Sequence, residues 1–113
     1  MGDSLKILLI DDDELDRNLY KRYLSAFPDL NCSIIEFETG KAGLEYCSQQ
    51  SPDCILLDFN LPDMDGLEFL SKLENTSIPV LMLTGQGSES IAVGAMKMGV
   101  QDYLVKDSIT PTH

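Results

Sequence analysis

Apolar residues recur along the chain in two alternating rhythms. Short unbroken runs come first: LKILLI (Leu5–Ile10), CSIIEF (Cys32–Phe37), DCILLD (53–58), IPVLML (78–83) and QDYLVK (101–106). Between them lie segments with helical spacing. Residues 14–27 carry Leu15, Leu19, Tyr20, Tyr23, Leu24 and Phe27, which the period places on one face, and Pro28 stops the pattern. Residues 39–49 form a second predicted helix capped by Thr39. Residues 66–74 form a third through Leu67, Leu70 and Leu73. Residues 88–99 form a fourth, with Ser88 as cap and Gly99 as terminator. Pro79 falls near the start of its strand, where a missing backbone donor is tolerable.

The order is therefore β-α-β-α-β-α-β-α-β. Runs such as CILL and VLML are apolar at every position, a pattern for strands covered on both faces. With right-handed crossovers, this predicts a doubly wound, open parallel α/β sheet. Ligands of such sheets sit outside the carboxyl ends of the strands. There the sequence delivers Asp11, Asp12 and Asp13; Glu36 and Glu38; Asp58 and Asn60; Thr84 and Gly85; and Lys106.

Length and charge narrow the reading. The 113 residues fit one domain, and the net charge of -11 argues against nucleic-acid phosphates or an anionic membrane as direct partners. It suits a cation or a basic protein surface. No apolar run approaches the roughly 20 residues that span a bilayer, and MGDSLK lacks the form of a secretion signal. Cys32, Cys47 and Cys54 are odd in number and form no CxxC pair; Cys47 and Cys54 read as small buried residues. Free thiols in a reducing cytoplasm are the expectation.

Gathered carboxylates repel, by roughly 4 kcal/mol for a pair about 4 Å apart near a surface before screening. A shared cation makes the gathering tolerable, and oxygen-only ligands suit magnesium. Thr84 adds a hydroxyl and Lys106 an ammonium, the groups that hold phosphoryl oxygens during transfer. A carboxylate can be the nucleophile of that transfer. Two aspartates would hold the metal while a third accepts the phosphoryl group.

IDDDE after the first strand, LLDFNLPDMDG at the third, LTG at the fourth and DYLVK in the fifth, in that order, closely resemble the motifs of response-regulator receiver domains of two-component signalling. The resemblance runs over about residues 6–109 and implies a flavodoxin-like five-stranded parallel sheet of order 2-1-3-4-5 in a single domain, 1–113. It implies Asp58 as phosphoacceptor, with Asp11 and Asp12 as the acidic pair and the backbone carbonyl of Asn60 completing the ligands of Mg2+, for which Mn2+ substitutes. Asp12 would touch the metal directly and Asp11 through water. Thr84 and Lys106 would hold the phosphoryl group, Tyr103 would follow Thr84 as the aromatic switch, and Gly85 would leave access to the site. Three consecutive aspartates make the register a choice; Leu5–Ile10 fills the strand, which leaves Asp13 to start the helix, where a carboxylate favours the dipole.

Other acidic residues have plainer readings. Asp13, Glu14 and Asp16 suit a helix cap and a solvated face. Asp63 and Asp65 suit a turn with Gly66. A calcium loop counted from Asp58 fails, because its sixth position is Asp63 and its twelfth Phe69. His113 has no context. Two departures from the family stand out. Asp107 follows the lysine where proline is usual, so a trans Lys106–Asp107 bond or a locally altered loop is expected. Thr110 and Pro111 resemble the start of a fifth helix that is missing or truncated, which predicts bared apolar surface near the first helix, and self-association or lower stability.

The leading expectation is a signalling domain rather than an enzyme with its own substrate. A sensor histidine kinase or phosphotransfer protein would supply the phosphoryl group, and the helix-four and strand-five face would signal to an output the sequence does not name. Homodimerisation is a further expectation. One alternative is a phosphatase of the haloacid-dehalogenase type built on Asp11 and Asp13, although Glu14 and Leu15 miss its pattern. The other is a receiver-like module that signals by binding alone. Gln86 and Asn60 would flank the site and influence hydrolysis.

Overall fold

The strands form because their residues leave water on both faces. The computed structural model describes residues 4–27, 29, 31–75, 77–84, 93–94, 96–97 and 102–105; for residues 84 and 102–105 the backbone alone is described. The elements are β1 (Leu5–Ile10), α1 (Glu14–Ser25), β2 (Cys32–Phe37), α2 (Gly40–Gln49), β3 (Cys54–Asp58), α3 (Gly66–Lys72), β4 (Val80–Thr84) and β5 (Asp102–Val105). The predicted helix at 88–99 falls mostly outside the described residues; of those described, Val93, Gly94, Met96 and Lys97 are helical. Pro28, the Lys106–Asp107 bond, Thr110, Pro111 and His113 also lie outside them.

The strands form one sheet in the order β2-β1-β3-β4-β5, and every pairing is parallel. This is the flavodoxin-like order expected above. Its central strands are buried on both faces: Leu8, Leu9, Ile10, Ile55, Leu57, Met82 and Leu83 are all within the interior. Each such side chain contributes about 1.5–3 kcal/mol relative to exposure. The edge strand β2 is only half-buried.

On one face, Leu8, Ile10, Ile55, Leu57 and Met82 pack with Phe69 and Leu73 from the α3 side; on the other, Leu9 and Leu83 meet Tyr20 of α1. Helix α1 departs from the periodicity reading. It ends at Ser25, buries Arg17 and Tyr20, and leaves Leu15 and Tyr23 exposed, as is Phe27 just beyond it. The rings of Tyr23 and Phe27 instead meet edge to face at 5.7 Å on the outer stripe. Cys47 and Cys54 are half-buried rather than buried, as is Cys32, and all three are free thiols. Burial pushes the Cys47 and Cys54 thiols up, helped at Cys54 by the charge of Asp53. Among the described residues no helix is long and apolar enough to cross a membrane.

Candidate functional site

Strand register brings the acidic residues to one edge. Ile10 pairs with Leu57, so Asp11 and Asp58 are the next residues on two adjacent strands. Asp58 itself pairs with Leu83, one residue before Thr84 on β4. Phe59 N–H donates to the Leu83 carbonyl at 2.9 Å, which fixes the chain as it leaves β3. Carboxylate oxygens of Asp11, Asp12 and Asp58 lie within 4.8 Å of one another. Asp11 is fully buried, Asp58 is 4% exposed, and Asp12 faces solvent.

The turn after β1 holds this arrangement. Asp11 N–H donates to the Phe37 carbonyl at 3.1 Å, continuing the ladder past the strand. The Asp11 Oδ1 accepts from Asp13 N–H at 2.9 Å, and Asp13 in turn caps α1 by accepting from Leu15 N–H at 2.9 Å. Asp13 is therefore occupied by the helix start, as the sequence predicts. Compact oxygen-only donors of this kind fit a hard divalent cation, which takes carboxylates and carbonyls and retains water.

Arg17 is the residue that periodicity overlooks. Its buried guanidinium donates from Nη1 to the Asp11 carbonyl at 2.7 Å and from Nε to Glu36 at 2.9 Å, and Nη2 lies 3.8 Å from Glu38. Lys21 Nζ holds the other oxygen of Glu36 at 2.8 Å. The Lys21 hydrogen bond, then that of Arg17, outweigh desolvation and hold the Glu36 carboxyl below its ordinary value. The acidic end of β2 is thus neutralised by α1, and Glu36 and Glu38 form a set separate from the three clustered aspartates.

The segment after Asp58 closes on itself. Gly66 N–H donates to the Phe59 carbonyl at 2.7 Å, Leu61 N–H to the Met64 carbonyl at 3.2 Å, and Asn60 bridges Asp65. A Cβ at Gly66 would stand 3.2 Å from the Phe59 Cα and 2.7 Å from Met82 Sδ, so the closure requires glycine there. Asp65 caps α3 by accepting from Glu68 N–H at 2.8 Å. Asp63 does not share in that local turn; it accepts from the backbone N–H groups of Gly40 and Lys41, both at 2.9 Å.

Of the remaining candidates, Thr84 ends β4 beside Val105, and Tyr103 pairs with Met82. Lys106, Gly85 and Gln86 lie outside the described residues.

The response regulator receiver domain family matches residues 7–112. The chain belongs to that family. The transcriptional regulatory protein SrrA of Staphylococcus aureus is 38% identical over 104 residues, covering 91% of this receiver and 42% of the relative. The receiver thus spans less than half the length of such curated relatives. Among solved structures, the phosphorylated cyanobacterial phytochrome response regulator RcpA superposes with a TM-score of 0.81 at 27% identity, covering 91% of this chain and 81% of that one. A response regulator in its Mn(2+)-bound form gives 0.78 at 28% identity, with 89% and 80% covered.

Proposed function

We propose that Asp58 accepts a phosphoryl group from the phosphohistidine of a sensor histidine kinase or phosphotransfer protein. An Asp58 carboxylate oxygen attacks phosphorus, the P–O bond forms, and the P–N bond breaks with its electron pair returning to the imidazole. The observation that carries this reading is the meeting of Asp58 with Asp11 and Asp12, from two strands, within 4.8 Å. Asp11, Asp12, Asp58 and the carbonyl of Asn60 would hold Mg2+ or Mn2+. When bound, that ion offsets the negative charge that accumulates on the phosphoryl oxygens. Similar proteins solved phosphorylated and manganese-bound support the assignment.

Thr84 donates its hydroxyl, and Lys106 its ammonium, to the phosphoryl oxygens. Tyr103 follows Thr84, so that new charge at Asp58 biases a two-state element at the β5 face. The receiver acts on no separate substrate and catalyses only its own phosphorylation and dephosphorylation, in the cytoplasm. A regulated output, in the same chain or a partner, reads the switched face.

Intact mass after incubation with acetyl phosphate and magnesium tests the reading. The parent gains one phosphoryl group; with chelator, or in Asp58→Asn, it gains none. An adduct that survives in Asp58→Asn but vanishes in Asp11→Asn favours a phosphatase-type nucleophile instead. No adduct on the parent favours signalling by binding alone.

A further inference from the structure

The segment 59–66 is tied to α2 at its tip. It begins directly after Asp58 and carries Asn60, and its stem is closed by the Gly66–Phe59 and Leu61–Met64 hydrogen bonds. Asp63, at the tip, spends both carboxylate oxygens on α2: Oδ1 accepts from Gly40 N–H and Oδ2 from Lys41 N–H. Helix α2 already has a cap of its own, Thr39, whose hydroxyl accepts from Ala42 N–H at 3.1 Å. The two acceptors therefore divide the orphan donors of the helix start between them. Asp63 serves donors that Thr39 leaves, and does so from 23 residues away.

A second contact locks the same place. Gly40 is buried, and a Cβ there would stand 2.6 Å from the Met64 sulfur. The lack of a side chain lets Met64 lie against the helix start beside the Asp63 bonds. Charge-assisted hydrogen bonds to two successive N–H groups fix both the direction and the distance of the tip. With the stem closed and the tip fixed, the whole segment has little freedom, and Asn60 lies within it, between the two stem bonds.

We propose that Asp63 is a positioning residue: by anchoring the 59–66 segment to the start of α2, it fixes the Asn60 carbonyl for the divalent cation shared with Asp11, Asp12 and Asp58. This rests on the ion site proposed above. Asp63 touches neither ion nor phosphoryl group and acts through the backbone. It also makes the start of α2 part of the site's scaffold.

The test compares the parent with Asp63→Ala, Asp63→Asn and Thr39→Ala, each as the full chain, by manganese binding followed through the electron paramagnetic resonance of the free ion. Thermal melting in chelator is measured alongside. Both alanine variants lose a cap on the same helix, but only Asp63→Ala frees the segment. Asp63→Ala is expected to weaken manganese binding about tenfold, the lower end for outer-shell partners. Asp63→Asn, which keeps one good acceptor, falls between it and the parent, and Thr39→Ala stays within about twofold despite a similar loss on melting. Equal weakening in Asp63→Ala and Thr39→Ala overturns the proposal, as does no weakening in Asp63→Ala or Asp63→Asn. A parent that binds no manganese overturns the ion site itself, a result distinct from a parent that binds while its Asp63 variants bind equally well.

Discussion

Two groups of carboxylates occupy the same edge of the sheet and are treated in opposite ways. Glu36 and Glu38, at the end of β2, meet the cations of α1: Arg17 and Lys21 grip Glu36 at 2.9 and 2.8 Å. Asp11, Asp12 and Asp58, at the ends of β1 and β3, converge on one another within 4.8 Å. Arg17 touches both groups. It neutralises Glu36 through Nε, and it meets Asp11 at the backbone carbonyl, at 2.7 Å. The guanidinium thus orients, through the Asp11 backbone, the turn that carries Asp11 and Asp12. Two cations of α1 hold Glu36, while the clustered aspartates gather an oxygen-only donor set that suits a divalent ion.

Removing Arg17 breaks this division most severely. Arg17→Ala leaves the Asp11 carbonyl without its buried donor and Glu36 with Lys21 alone. Losing one member of a buried pair costs about 3–5 kcal/mol, and the partial exposure of Glu36 places this case near about 3 kcal/mol or below. Urea unfolding measures it. A loss under about 1 kcal/mol would mean that the guanidinium is held by packing of its stem and not by these bonds. The double variant Arg17→Met, Glu36→Leu should recover part of the loss, because no charge is then stranded.

The aspartate group is expected to respond with the opposite sign. Asp12 is exposed and lies beside Asp11 and Asp58. In chelator, Asp12→Asn removes like-charge repulsion and raises stability by about 0.5–1 kcal/mol, the exposed position limiting the gain. With magnesium the order reverses. The parent gains about 2.7 kcal/mol at an ion concentration one hundred times its dissociation constant, and the variant gains much less. Melting curves with and without magnesium should therefore cross. Parallel curves would show that Asp12 is not a ligand.

The sequence makes one of these groups more legible than the other. Asp11, Asp12 and Asp58 follow from a general rule: unbroken apolar runs give central strands, and the strand ends share a rim. The bounds of β1 and β2 match the apolar runs residue for residue, and β4 starts at Val80 because Pro79 has no N–H for the ladder. The second group depends on contacts between distant positions. Helical periodicity counts apolar residues, so it selected Leu15, Tyr23 and Phe27, and passed over Arg17. Its burial on α1 is set by Glu36, 19 residues on and in another element. Asp63 escaped for the same reason: a local reading sees a turn with Gly66, and the partner that matters lies in α2. Buried or anchored polar residues are fixed by pairings that no local window contains.

Acid titration gives the smallest and most selective probe of the contrast. Lys21 and Arg17 hold the folded carboxyl of Glu36 below its ordinary 4.5. A depressed carboxyl contributes stability above its unfolded value, and that contribution is lost as pH falls through the folded one. The Glu36 contribution should therefore be complete at neutral pH and disappear as pH drops below about 4.5, so the parent loses its advantage over Glu36→Gln in that window. Other carboxyls titrate there too, and only the difference between the two unfolding midpoints isolates this one. Glu38→Gln serves as the control. Its side chain is 69% exposed and 3.8 Å from Arg17, so solvent screens the pair and the substitution should change the unfolding free energy at neutral pH by less than about 0.5 kcal/mol. If Glu38→Gln flattened the profile as much as Glu36→Gln, the stabilisation would come from the general field of α1's cations. A flat response in Glu38→Gln beside a changed one in Glu36→Gln would place it in the two hydrogen bonds that Glu36 accepts.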